Sequence, residues 1–163
     1  MPRVYVSIGS NIDKDQHIRR GVQELAAHYA PLTLSTVYAS RAIGFEGDDF
    51  YNLVAGFDTQ DTLARLSDIL ADIEQRSGRV RNGVRFSPRT LDLDILLYGD
   101  LVRHDGMHQL PRTEIDEYAC VLCPLAEIAP RERHPVTGIT YRDMWRRFND
   151  SAQSLVPVDL ALG

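Results

Sequence analysis

Lysine is almost missing from this chain: seventeen of its eighteen basic residues are arginine, and Lys14 is the one lysine. No Gly-x-x-x-x-Gly-Lys-Ser/Thr stretch occurs, which excludes a P-loop and leaves any phosphate cradle to arginine. Cysteine is scarce as well. Cys120 and Cys123 form one Cys-x-x-Cys, with no second pair to complete a zinc site. Val121 and Leu122 lie between them and Pro124 and Leu125 follow, so the stretch reads as a buried strand with structural cysteines. The five histidines (His17, His28, His104, His108, His134) are expected at the surface. There is no excess of positive charge: the net charge of −5 argues against nucleic-acid binding. No apolar run approaches membrane-spanning length and Met-Pro-Arg-Val-Tyr-Val is no signal peptide, so a cytoplasmic protein with no membrane partner is expected. The length of 163 residues suits one domain, 1–163.

What is present alternates. Val4, Val6 and Ile8 make an opening strand that stops at Gly9-Ser10-Asn11. Ile18, Val22, Leu25, Ala26 and Tyr29 have helical spacing, and Pro31 ends that helix. Leu32–Ala39 reads as a second strand and 40–49 as a loop. A third strand starts at Phe50, with Tyr51, Leu53, Ala55 and Phe57 on one face and Phe50, Asn52 and Val54 on the other. Asp58 or Thr59 is positioned to cap a helix whose stripe is Leu63, Leu66, Ile69, Leu70 and Ile73, ending near Gly78. A further strand holds Asp92 and Asp94. The order β-α-β-β-α-β is the ferredoxin-like α+β arrangement: an antiparallel sheet with helices on one face and the other left for ligands. Beyond residue 100 the pattern predicts short strands near 101–103 and 120–123, a helix around Tyr141–Phe148 and a loosely packed tail at 150–163.

The chemistry concentrates in residues 74–95. Asp92 and Asp94 alternate with Leu91, Leu93 and Ile95, so on a strand both carboxylates share one face and the aliphatics the other. Such a pair repels itself unless a cation sits close by, and Mg²⁺ takes carboxylate oxygens while leaving positions for water and phosphates. Just upstream lie Arg76, Arg79, Arg81, Arg85 and Arg89, with no acidic residue from Gln75 to Leu91. Guanidinium forks suit phosphate oxygens, so the combination points to phosphoryl or nucleotidyl transfer.

With these elements in order, residues 3–148 resemble the hydroxymethyl-dihydropterin pyrophosphokinases. The likeness rests on Ile8-Gly9-Ser10-Asn11, Phe50-Tyr51-Asn52, Gly78-Arg79-Val80-Arg81, Pro88-Arg89-Thr90-Leu91-Asp92-Leu93-Asp94-Ile95 and Pro124-Leu125-Ala126-Glu127-Ile128-Ala129-Pro130. The resemblance implies transfer of diphosphate from ATP to the hydroxymethyl group of 6-hydroxymethyl-7,8-dihydropterin in folate biosynthesis, with two Mg²⁺ ions and release of AMP. It implies Asp92 and Asp94 as metal ligands and Arg79 and Arg89 as catalytic loop arginines. Glu74, Arg81, Ile95 and Arg112 would meet ATP. Ser40, Ile43, Phe50, Asn52 and Phe86 would meet the pterin, and the enzyme would be a monomer. An amide can pair with the pterin's donor–acceptor edge, and an aromatic can cover its ring.

The stretch 111–120 departs from that family. Arg112 stands at a histidine position, Tyr118 at an arginine position and Cys120 where a phenylalanine stacks on the pterin; Phe86 stands at a loop tryptophan. Arg112 is expected to replace the histidine as a phosphate contact, against the alternative of a surface pair with Glu114 or Asp116. Two other functions remain: a different two-metal nucleotidyltransferase on the same sheet, which would release diphosphate, and a non-catalytic pterin- or nucleotide-binding module.

Overall fold

Strand β1 (Arg3–Ser10) is buried from Val4 onward, with Val4, Val6 and Ile8 in the core on one face of the sheet and Tyr5 in a second cluster on the other. The computed structural model describes residues 1–40, 49–77, 91–106, 108–148 and 153–162. Helix α1 (Lys14–Tyr29) buries Ile18, Val22, Leu25 and Tyr29 on the stripe read from their spacing. The expected second strand is split into β2 (Thr33–Leu34) and β3 (Val37–Ser40), both pairing with β4 (Phe50–Asp58). The break lies at buried Ser35, whose Oγ accepts from the Val54 N–H at 2.9 Å. A hydroxyl there takes the donor that a ladder carbonyl would take, which interrupts regular pairing.

Helix α2 (Leu63–Arg76) packs Leu63, Leu66, Ile69, Leu70 and Ile73 inward. Its cap is Thr62, not Asp58 or Thr59: Thr62 Oγ1 accepts from the Arg65 N–H at 3.2 Å. Strand β4 runs on through Asp58, and Thr59 Oγ1 accepts from the Asp61 N–H in the connection. Strand β5 (Asp92–Tyr98) follows. Its neighbour β1 carries β4 on the other side, and β3 lies beyond β4, all antiparallel. This is the ferredoxin-like sheet, with α1 and α2 over one face.

The C-terminal part differs from expectation in three ways. Residues 120–123 are not a strand but lie in α4 (Ala119–Ile128), after α3 (Glu114–Glu117) and a two-strand ladder of β6 (Arg103–His104) with β7 (Gln109–Leu110). A short apolar run does not separate strand from buried helix by its period. Helix α4 packs Val121, Leu122, Leu125 and Ala126 with Tyr5, Val54 and Leu97, so part of the second sheet face is covered, together with α5 (Tyr141–Arg147) and its Tyr141. The stretch 150–163, expected as a loose tail, supplies β8 (Leu155–Val158), which pairs with β3 at the sheet edge. Val158, Leu160 and Leu162 pack on the core.

The motif around Pro124 has a structural reason in Glu127. Its carboxylate accepts from the Thr36 N–H at 2.9 Å, Thr36 Oγ1 at 2.8 Å and the Tyr38 hydroxyl at 2.7 Å, tying α4 to β3. His134, expected at the surface, is 5% exposed. Its Nδ1 accepts from the Val136 and Thr137 N–H groups, which satisfies it inside a turn.

Candidate functional site

Asp92 and Asp94 leave the core side of β5 to Leu93 and Ile95, so the two carboxylates share the opposite face, each about half-buried. In the sheet register Asp92 faces Gly9, and Gly9 on its other side faces Asn52. These three residues therefore form one row across β5, β1 and β4, on one face of the sheet. Neighbouring strands lie ~4.8 Å apart, which puts the Asp92 and Asn52 backbones roughly 10 Å from each other. Gly9 is a glycine for a reason visible only here. A Cβ at that position would stand 2.8 Å from Asn52 Oδ1, because the amide lies across the β1 backbone.

Asn52 is held in that pose by Ser40, whose Oγ accepts from Asn52 Nδ2 at 3.4 Å. Ser40 faces Phe50 in the ladder, so Ser40, Phe50 and Asn52 are adjacent on the strand pair β3–β4. Helix α4 closes this side. Burial pushes the Cys120 thiol above its ordinary range, against the pull of a hydrogen bond with Ser40. Burial likewise raises the Cys123 thiol, which meets the Tyr38 hydroxyl. Tyr38 itself is raised well above the usual phenol range, by burial first and then by its bond to Glu127. Both cysteines are free thiols and serve as packing between α4 and β3.

On the other side of Asp92, a cavity of about 160 Å³ opens along the outer edge of β5. Leu70, Ala71 and Glu74 of α2 line it, with Asp94, Ile95, His108, Gln109 and Arg112. Glu74 is buried, and its Oε2 accepts from the Leu93 N–H at 3.0 Å. The Ile95 side chain belongs to the core. Arg112 donates its N–H to the Leu96 carbonyl, and its Nη2 lies 3.5 Å from Asp94 Oδ1. Its Nε lies 3.1 Å from Glu114 Oε2, so the pairing with Glu114 and the approach to Asp94 both occur. A second cavity of about 400 Å³ adjoins, lined by His104, His108, Gln109, Arg112, Thr113 and Glu114. His108, expected only as a surface residue, and Gln109, which no sequence feature marks, take their place here once β7 is formed.

The structure thus gathers Ser40, Phe50 and Asn52 at one end of the row, and Asp94, Glu74, Ile95 and Arg112 at the other. Arg79, Arg81, Arg85, Phe86, Arg89 and Ile43 lie outside the described residues. Among the described residues, no three or more His, Cys, Asp or Glu side chains form a metal-holding cluster, and no helix is long and apolar enough to cross a membrane. The Asp92–Asp94 pair is a set of hard oxygen donors that leaves most coordination positions to water and phosphate, which fits Mg²⁺.

A family model described as 7,8-dihydro-6-hydroxymethylpterin-pyrophosphokinase matches residues 5–130. The 2-amino-4-hydroxy-6-hydroxymethyldihydropteridine pyrophosphokinase of Pseudomonas aeruginosa is 37% identical over 137 residues, covering 82% of this chain and 84% of that protein. The Bacillus subtilis protein of the same name is 33% identical over 138 residues, covering 82% of each. Among solved structures, a Plasmodium falciparum HPPK-DHPS triple mutant with SDX-DHP aligns with a TM-score of 0.69 at 13% identity. It covers 90% of this chain, which spans 41% of that longer protein, and shares the fold.

Proposed function

The chain belongs to the 7,8-dihydro-6-hydroxymethylpterin-pyrophosphokinase family, transferases of folate biosynthesis that use ATP and a pterin, and from this we propose how its residues divide the work. ATP occupies the cavity between α2 and β5, and 6-hydroxymethyl-7,8-dihydropterin lies against β4 at the far end of the row. The observation that carries this reading is the row Asp92–Gly9–Asn52, which brings a carboxylate pair and a side-chain amide onto one face, two strands apart.

Asn52 pairs with the pterin's edge, supported by Ser40, while Phe50, Phe86 and Ile43 provide apolar cover. Glu74 and Ile95 line the nucleotide end. The Leu93 N–H points outward to Glu74, and strand alternation turns the Ile95 backbone to the same outer edge. Ile95 therefore meets the nucleotide through its backbone while its side chain stays in the core. Arg79, Arg81, Arg89 and Arg112 neutralise the phosphates, and Arg79 and Arg89 act on the transferring group. Asp92 and Asp94 would hold two Mg²⁺ ions, which when bound offset phosphate charge and lower the acceptor hydroxyl's pKa.

The 1–163 chain acts as a single domain, a monomer in the cytoplasm. Incubation with ATP, Mg²⁺ and 6-hydroxymethyl-7,8-dihydropterin should release AMP and the pterin diphosphate. Release of diphosphate would instead mean nucleotidyl transfer, and binding without turnover would mean a non-catalytic module.

A further inference from the structure

Arg112 approaches one of the two carboxylates assigned to the metal, and this has a consequence for how the metal loads. Its guanidinium spans two acids, with Nη2 at 3.5 Å from Asp94 and Nε at 3.1 Å from Glu114. Its backbone N–H is fixed on the Leu96 carbonyl, so the side chain can swing about an anchored pivot. Arg112 lines both cavities, whereas Asp94 lines only the smaller one. The guanidinium therefore stands where Asp94 meets the larger space. Two carboxylates two residues apart on one strand face repel, and a guanidinium at this distance offsets part of that repulsion. A dication on the same Asp94 oxygen would face a like charge a few ångströms away.

We propose that Arg112 is an internal counter-ion of Asp94 in the nucleotide-free enzyme, and that a divalent cation has to displace it. Polyphosphate gives the guanidinium a better-matched acceptor, so it leaves Asp94 as the phosphates arrive. Metal and nucleotide binding are then coupled through Arg112, the metal loading with the phosphates rather than before them. Glu114 holds the guanidinium's other side, so the displaced arginine stays beside the larger cavity. This inference rests on the assignment of Asp92 and Asp94 as metal ligands.

Manganese titration with free Mn²⁺ read by electron paramagnetic resonance tests it without turnover. Without nucleotide, Arg112→Ala and Arg112→Gln should each bind Mn²⁺ about two- to fivefold more tightly than the parent, the range expected for a partly exposed ion pair. With a methylene-bridged ATP analogue present, that gain should vanish or reverse. Unchanged or weaker Mn²⁺ binding by both variants without nucleotide would overturn the proposal. So would an equal gain from Arg20→Ala, an exposed arginine on α1 paired with Glu24, since net charge alone would then be responsible. Asp94→Asn separates the two ideas. If it abolishes Mn²⁺ binding while the Arg112 variants change nothing, the metal assignment stands and only the counter-ion role falls. If it binds Mn²⁺ normally, the assignment itself falls.

Discussion

Replacing Gly9 by alanine separates the site from the scaffold that carries it. The alanine Cβ would stand 2.8 Å from Asn52 Oδ1, while its next neighbours, Asn52 Cγ and the Tyr51 carbonyl, lie at 3.8 Å. Only the tip of the amide has to yield, and the backbone fits. Loss of glycine's freedom in the unfolded chain stabilises by about 0.4–1 kcal/mol, which offsets part of the amide's displacement. Stability should thus change by no more than about 1 kcal/mol, or ~4 °C in Tm. The amide, however, can no longer lie across β1. If Asn52 reads the pterin edge, the lost pairing costs about 1–3 kcal/mol, or roughly 5- to 150-fold in pterin affinity. Asp92 lies beyond the nearest neighbours of that Cβ, so ATP-analogue affinity should hold. Calorimetric titration of each ligand into Gly9→Ala, with a thermal melt, measures all three quantities. Pterin affinity within twofold of the parent, or an equal loss for both ligands, would refute the reasoning.

Asp92→Asn and Asp94→Asn should each abolish AMP release with little change in the urea midpoint, because either substitution relieves carboxylate repulsion. Glu74→Ala should lower stability by about 1–3 kcal/mol in urea titration, since the buried Leu93 N–H loses its acceptor. Burial and the Glu132 carboxylate push the Tyr5 hydroxyl up to about 12 from an ordinary value of 10. A raised folded-state value stabilises fully below pH 10 and is lost as pH climbs from 10 toward 12. Tyr5→Phe should therefore flatten the fall of stability across that window, and parallel curves for parent and variant would count against it.

Much of this arrangement is legible in the residues, and the rest has identifiable reasons for being hidden. Val4, Val6 and Ile8, and Leu53, Ala55 and Phe57, alternate because one side of each strand meets α1 and α2. The same period put Asp92 and Asp94 on one face before any neighbour was known. The helix at Ala119–Ile128 reads as a strand because it is apolar on both sides, against the sheet and against α5. Its one polar seam, Cys120, Cys123 and Glu127, has helical spacing and was the available signal. Ser35 hid the break between β2 and β3, since only tertiary pairing shows that its hydroxyl takes a ladder donor. The cap at Thr62 depends on where β4 ends, and the edge strand β8 depends on β3 offering an open side. Gly9 was visible as a residue, but its purpose needs the register.

That register works as a ruler. The span between the carboxylates and the amide is counted in strand spacings, and no side-chain change can stretch it. Sliding the amide one residue along β4 would flip it to the helix-covered face; sliding it two would carry it about 7 Å away. If the pterin lies against Asn52, a bulkier acceptor has to be accommodated from the α4 side, where Cys120 stands, while the span between the carboxylates and the amide stays set by backbone hydrogen bonds.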